Sequence, residues 1–329
     1  MGRVVLVTGV SRLVGGMTCR ALAADPTLER VIAVDTVPPL HSLGRADFIR
    51  ADIRNPIMGK ILAQEKVDTV LHLGVIMTPK QAGGRTLQKE INVIGTMQLL
   101  AACQKADSVE RLIVKSSSSV YGASPRDPAM FTEDMGARRN PTGGFGRDSV
   151  EVETYVRGLA RRRPDIDVTM LRMANLVGQG LRTTFSEYFS LPALPVPLGF
   201  DGRFQVLHIE DAVAVLQRAA GAENLSGTIN VAGDGMLTVR QAARIAGKPV
   251  IPVLAQTAPM MQQLTGMLGG SGAFDAEQMQ FLQFGRGMDT TRMRTMLDFT
   301  PEHTTRDAFR EVLGAPGRRH AANLGEARV

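Results

Sequence analysis

Tryptophan is absent, aromatic residues make up 5% of the 329 residues, and cysteine occurs twice, at Cys19 and Cys103. Each shortage excludes something. Two thiols cannot build a disulfide framework, so a reducing, cytoplasmic setting is expected. So few aromatics, with neither zinc-finger spacing nor aromatic–basic interleaving, give no ring platform for reading RNA. No apolar run approaches the roughly 20 residues that span a bilayer, so no membrane partner is expected. The strand-like run Val4-Val5-Leu6-Val7 comes so early that no signal peptide is expected before it. Net charge is +6. Apart from Arg161-Arg162-Arg163 and Arg318-Arg319 the basic residues are dispersed, which reads as a solvated surface and predicts no nucleic-acid partner.

What is present is an ordinary globular composition, 44% apolar and 21% charged, on a chain long enough for one large domain or two joined ones. Short apolar runs at Val4 to Thr8, Arg30 to Asp35, Asp47 to Asp52, Val67 to Leu73, Arg111 to Ser116 and Asp167 to Met173 read as buried strands. Between them, Met17 to Ala24, Ile91 to Ala106 and Val150 to Leu159 carry helix-period apolar residues. That alternation predicts an α/β fold, a Rossmann-type doubly wound parallel sheet with a smaller C-terminal substrate lobe. Residues 1–178 form the dinucleotide-binding domain on this reading. A helix from Ile209 and a strand at Gly227 to Ala232 return to it within 206–235. Residues 179–205 and 236–314 make the lobe, and 315–329 a frayed tail. Leu191 to Pro197, punctuated by proline, reads as a loop.

The first strand runs into Thr8-Gly9-Val10-Ser11-Arg12-Leu13-Val14-Gly15-Gly16 and then a helix. Glycines at such a turn let backbone approach a pyrophosphate seated on the positive helix N-terminus. Gly9, Ser11, Arg12, Leu13, Val14 and Gly15 are therefore the candidate phosphate-binding residues. Asp35 ends the second strand, about 20 residues on, where a carboxylate accepts from the adenosine ribose hydroxyls. Arg12 stands where the usual spacing has glycine. Its guanidinium can pair with a phosphate, including a 2′-phosphate that would admit NADP, with Asp35, or with solvent. Asp35 repels a 2′-phosphate, which favours NAD.

Further landmarks follow in order: Ala51-Asp52-Ile53, Leu71-His72-Leu73-Gly74, Asn92-Val93-Ile94-Gly95-Thr96, Ser116-Ser117-Ser118-Ser119-Val120-Tyr121-Gly122, Leu171 to Gly178 and His208-Ile209-Glu210-Asp211-Ala212. Together they resemble the extended short-chain dehydrogenase/reductases, the NAD-dependent epimerase/dehydratase group, over nearly the whole chain. The likeness is nearest to an atypical actinobacterial branch often labelled nucleotide-sugar epimerase. The resemblance implies cofactor contacts from Asp52, Ile53, Leu73, Gly74, Asn92 and Ser116, a substrate hydrogen bond from Ser117, and a substrate-lobe junction at Asn175. It also implies a homodimer through the helices near Ile91 to Ala106 and Val150 to Leu159.

The same resemblance exposes a loss. The family uses a Tyr as acid/base with a Lys four residues later, on one helix face. Phe145 and Ser149 occupy those positions, and no Tyr-x-x-x-Lys occurs anywhere in the chain. General acid–base catalysis typically contributes ~10²–10⁴-fold, so the usual hydride chemistry should be crippled. Asp148, three residues past Phe145, is either a replacement acid/base or a helix-surface carboxylate. Tyr121 and His208 read as packing residues. Ser118 and Ser119 are not the acidic pair of sugar dehydratases. Phe204 replaces the Arg that binds a nucleotide-sugar diphosphate, which leaves Arg182 and Arg203 as candidates for the substrate. The methionines from Met260 to Met296 line an apolar pocket, fill a loosely specified core or form a helical interface. Two functions remain open: an NAD-binding enzyme acting on a small molecule by altered chemistry, or a catalytically inactive dinucleotide sensor or partner subunit.

Overall fold

The computed structural model describes residues 2–77, 82–141, 144–254 and 276–314. Seven strands form its central sheet: β1 (Arg3–Thr8), β2 (Leu28–Asp35), β3 (Asp47–Arg50), β4 (Thr69–His72), β5 (Arg111–Ser117), β6 (Asp167–Met173) and β7 (Gly227–Val231). Their order is β7-β6-β5-β4-β1-β2-β3, and every pair is parallel. The central strands, buried on both faces, are largely continuous apolar runs rather than alternating ones, whereas the edge strand β3 is mostly exposed.

Side-chain alternation sorts the core into two layers. On one face Val5, Val7, Ile113 and Leu171 pack under α1 (Leu13–Ala23) and, through Ala212, Val215 and Leu216, the later helix Ile209–Gly221. On the other, Val4, Leu6, Leu112 and Met170 meet α2 (Ile57–Gln64), α3 (Thr96–Lys105) and α4 (Gly144–Arg162). The helix Ile209–Gly221 is α5, and Thr305–Leu313, near the end of the described chain, is α6. A third cluster, built on Phe189, Phe204, Leu194, Val253 and Phe309, is the core of the smaller lobe. The doubly wound sheet expected from the alternation of runs is therefore present.

The structure departs from the sequence reading in several places. Leu194–Pro197 is a strand, not a loop, and pairs in parallel with Val250–Val253. Leu194 N–H donates to Pro249 O at 2.8 Å and Leu198 N–H to Val253 O at 2.7 Å. Pro195 and Pro197 fall at the intervening positions, where no amide is needed. Helix α4 starts at Gly144, six residues earlier than its periodicity suggests, which makes Phe145 to Ser149 helical. A π-helical turn, Glu90–Gly95, precedes α3. Met293 and Leu297, from the stretch assigned to the lobe, pack instead in the first sheet layer, and Gly287–Met288 pairs with Met130–Phe131. Val206–His208 pairs with Asn175–Val177, outside the seven-stranded sheet. Met260, Met261, Met267 and the tail lie outside the described residues. No described helix is long and apolar enough to cross a membrane.

A buried ion pair joins β5, β6 and α4. Glu153 accepts from Arg172 Nε at 2.8 Å and Nη2 at 2.7 Å, and from Ser116 Oγ at 2.7 Å. Burial alone would raise the Glu153 pKa, but the hydrogen bonds and charge of Arg172 outweigh it and hold the carboxyl below its ordinary value. Arg172 also donates to Tyr121 Oη at 2.8 Å and stacks over that ring at 4.8 Å. Removing one partner leaves a buried charge uncompensated. Arg172→Met should therefore cost about 3–5 kcal/mol of unfolding free energy in a denaturant titration. A carboxyl with a depressed folded pKa stabilises the fold above its unfolded pKa. In the native chain that contribution should persist below pH 4.5 and disappear as pH falls through the lower folded value, whereas Glu153→Gln should show no such acid limb.

Candidate functional site

At the C-terminal end of β1 the chain turns at Gly9, whose φ is +80°. A Cβ there would lie 2.5 Å from the Cα of Gly74, and one at Gly15 would strike the Gly9 carbonyl. These two glycines let the β1 turn, the β4 end and α1 sit in direct backbone contact. Beyond the turn, the N-terminus of α1 is left open. Arg12, its N-cap, makes no side-chain cap bond, and the first turn carries no acid. Among the described residues the amides of Leu13, Val14 and Gly15 find no acceptor, so they retain the orphan donors and positive potential of a helix start. Val14 itself points its side chain into the core.

Asp35 lies beside this helix tip. Its Oδ2 accepts from Ser11 N–H at 3.0 Å and Ser11 Oγ–H at 2.7 Å, and its Oδ1 from Thr36 N–H at 2.7 Å. Arg12 is close enough for Asp35 to raise its pKa, although burial lowers it on balance; guanidinium remains a cation throughout. Among the described residues the Arg12 side chain has no hydrogen-bond partner.

Lys115, which sequence reasoning overlooked, completes this region. It sits on β5 two residues before Ser117 and on the same strand face. Burial first, and the charge of Arg12 second, bring its pKa down to about 8. No described residue gives it a hydrogen bond or an ion pair. The signal was available: a lysine within Leu112-Ile113-Val114-Lys115, at the C-terminal end of a central parallel strand, has no reason to be there as core. His72, behind it, is fully buried between Thr8 Oγ at 2.9 Å and Thr96 Oγ at 2.8 Å. Burial and then Lys115 drive its pKa to about 4, which keeps it neutral.

The other expected cofactor residues divide. Asn92 is buried in the π-helical turn and brackets Ile76, accepting from its N–H and donating to its carbonyl, both at 2.8 Å. It thereby fixes the segment that continues from Leu73 and Gly74. Asp52 is engaged by Arg54, whose Nη2 donates at 2.7 Å and whose hydrogen bonds lower the Asp52 pKa. Ile53 packs against Gly95. Ser116 requires correction as a cofactor contact. Alternation along β5 turns it to the α4 side of the sheet, where it donates to Glu153.

Next to Ser117 a cavity of about 230 Å³ opens between the sheet and the smaller lobe. Phe131, Phe145, Phe185, Tyr188, Phe189 and Phe281 line it, with Met77 and Met288. Ser117, Ser119 and Asn175 supply hydrogen-bonding groups, and Arg286 is its cation among the described residues. Arg182 and Arg203 are exposed and do not line it. Tyr121 contributes to the wall, stacked on Phe131 at 4.4 Å, with its hydroxyl donating to Asn230 Oδ1 at 2.7 Å.

The two positions at which the resemblance places an acid/base pair carry Phe145 and Ser149. Phe145 faces the cavity, while Ser149 is buried and donates to the Phe145 carbonyl at 2.9 Å. Asp148 is neither a surface carboxylate nor a free acid/base. It is 1% exposed, and both its oxygens accept from Arg85 at 2.6 Å. That fork anchors α4 to the helical turn Arg85–Lys89 and takes Asp148 away from the cavity wall.

The sequence model of the NAD dependent epimerase/dehydratase family matches residues 5–232. An uncharacterised protein of Mycobacterium tuberculosis is 46% identical over 319 residues, covering 96% of this chain and 84% of its own length. UDP-glucose 4-epimerase of Mycolicibacterium smegmatis is 27% identical over 252 residues, 71% of this chain and 78% of that one. Among solved structures, UDP-glucuronic acid 4-epimerase of Bacillus cereus, with UDP-glucuronic acid and NAD, superposes with a TM-score of 0.71 at 21% identity, covering 94% of this chain and 97% of that one. The dTDP-glucose 4,6-dehydratase of Bacillus anthracis, also an NAD complex, gives 0.71 at 16% identity, covering 94% and 95%. A glycine turn feeding an uncapped helix, an acid closing the second strand and a family match spanning both sheet halves converge: the chain belongs to the NAD-dependent epimerase/dehydratase family.

Proposed function

We propose that this protein binds NAD(H) across the C-terminal ends of β1, β4 and β5 and holds an apolar small molecule in the adjoining cavity, without the family's Tyr–Lys chemistry. The observation that carries this reading is the pair of cations, Arg12 and Lys115, set beside three acceptor-less amides at the tip of α1. Asp35 offsets part of the Arg12 charge, whereas Lys115 has no described hydrogen-bond or ion-pair partner; a desolvated positive charge without a counter-ion is costly, and an anion supplied from outside relieves it. The residues fit a dinucleotide. Leu13, Val14 and Gly15 amides with Arg12 and Lys115 would hold the pyrophosphate, Asp35 the ribose hydroxyls, and Asn92 the shape of the segment beside it. Asp35 favours NAD over NADP by repelling a 2′-phosphate. Bound NAD supplies a hydride acceptor, or a donor when reduced.

The substrate side is argued from the cavity wall. Seven aromatic side chains, with Arg286 and Glu277 among the described lining residues, suit a largely apolar body carrying a small polar group, the usual composition of a specific small-molecule pocket. Ser117 and Asn175 orient that group. Neither Phe145, Ser149 nor Asp148 can move a proton there, for the reasons of geometry given above. This favours slow or substrate-assisted chemistry. It equally supports the second reading, a sensor or partner subunit that binds the dinucleotide without turning it over.

Fluorescence titration should show NADH binding more tightly than NADPH. Lys115→Met should weaken it by roughly 10-fold or more, the value of a charge-assisted contact. Because neutral Lys115 attracts no phosphate, native affinity should fall as pH rises through about 8, and the variant should be flat over that range. No NADH binding at millimolar concentration overturns the cofactor assignment. UDP-glucose and UDP-glucuronic acid should give no thermal shift at millimolar concentration, whereas an apolar probe such as anilinonaphthalene sulfonate should bind and be displaced on Phe281→Arg. A sugar-nucleotide shift would reject the apolar substrate while leaving NAD in place.

A further inference from the structure

Outside the cofactor cleft, two histidines and a glutamate meet where the smaller lobe joins α5 and α6. His208 caps the N-terminus of α5 at the end of the strand Val206–His208. His303 precedes the N-cap of α6, and Glu311 lies on α6 itself. The imidazole centroids are 4.1 Å apart and tilted by 35°. His208 Nε2 stands 3.8 Å from Glu311 Oε1, and His303 Nε2 stands 3.9 Å from Glu311 Oε2. One donor atom from each of the three residues lies within 4.8 Å of the others. None of the three lines the cavity.

These separations are too long for hydrogen bonds and close to those around a metal. Ligands at 2.0–2.1 Å in a tetrahedral zinc site lie roughly 3.3 Å from one another. Shifts of about half an ångström would bring the Glu311 oxygens to ligand separation from the two histidines, and Glu311 is half exposed at the end of a long side chain, so it is free to make them. His303 is already oriented for the task. Its Nδ1–H donates to Asp211 Oδ2 at 2.9 Å, so its Nε2 lone pair faces the centre. Asp211 is itself buried and pinned by the amides of Glu302 at 2.8 Å and His303 at 3.1 Å. A ligating histidine backed by a fixed carboxylate is the usual outer support of a protein metal centre. For His208 the corresponding carboxylate is Glu210, whose Oε2 is 3.9 Å from Nδ1. His208 Nδ1 accepts a long, 3.4 Å bond from the Glu210 amide, so ligation through Nε2 requires the proton to reside on Nδ1, where Glu210 can receive it.

We propose that His208, His303 and Glu311 form a zinc site with one position left for water, a clip that fastens α6 to the start of α5. Asp211 is its positioning residue. The test uses full-length, tag-free protein stripped with chelator and titrated with zinc chloride. Thermal unfolding should shift upward saturably by roughly 5 °C at 100-fold excess over Kd, and cobalt should give the visible absorption of a tetrahedral ion. Glu311→Gln, an exposed change that should not disturb folding, and His303→Ala should each remove both signals. Asp211→Asn should weaken zinc affinity by about 10–100-fold without abolishing it. NADH affinity, unchanged in Glu311→Gln, reports that the rest of the molecule is intact. A native protein with no saturable zinc response overturns the proposal, as does a response that survives undiminished in Glu311→Gln.

Discussion

The Glu153–Arg172 pair is the constraint on which the working end of the molecule rests. Two opposite charges removed from water are tolerated only when geometry and additional hydrogen bonds compensate their lost hydration. Here the compensation comes from Ser116, Arg157 and Tyr121, on a neighbouring strand, the same helix and the turn after β5. The network continues through Tyr121 to Asn230 on β7, and Asn230 N–H donates to Glu133 Oε1 at 2.9 Å. Satisfying one pair of charges thus fixes α4 against β5 and β6 and sets the Tyr121–Phe131 stack that walls the cavity. That stack forms part of the wall of the cavity beside Ser117.

The parts of the fold that depend on local pattern were legible. Continuous apolar runs, a glycine turn opening a helix, and an acid at the end of the second strand each announce themselves within about ten residues. What escaped depends on partners far along the chain or on which way a side chain turns. Asp148 could not be separated from a surface acid or a catalytic one, because Arg85, 63 positions away, decides the matter. Ser116 and Ser117 are adjacent and chemically alike, yet alternation sends one to Glu153 and the other to the cavity. Lys115 lies inside the strand Arg111 to Ser116 expected from the sequence, where its neighbours alone do not say which group it faces. It is the sheet order, with β4 and α1 beside β5, that places it near Arg12.

The methionine-rich stretch illustrates the same limit. Met288 reaches the cavity wall, Met279 packs in the lobe core, Met293 lies under the sheet, and Met296 is exposed. Composition groups these side chains, whereas the fold scatters them. The cavity owes its apolar character to phenylalanines drawn from four separate segments, of which only the helix Thr184–Ser190 brings more than one.

Proline also shapes how the smaller lobe meets the world. In the two-stranded sheet Leu194–Pro197 with Val250–Val253, the bonded positions on one strand are Leu194 and Leu198, and those on its partner are Pro249 and Val253. Pro195 and Pro197 sit between the first pair, and Pro252 between the second. One outer border therefore lacks its amide donors at Pro195 and Pro197, and the other lacks one at Pro252, which weakens the template an incoming strand would pair with. The residues that disguise this segment as a loop are the ones that make it a poorer template for a third strand.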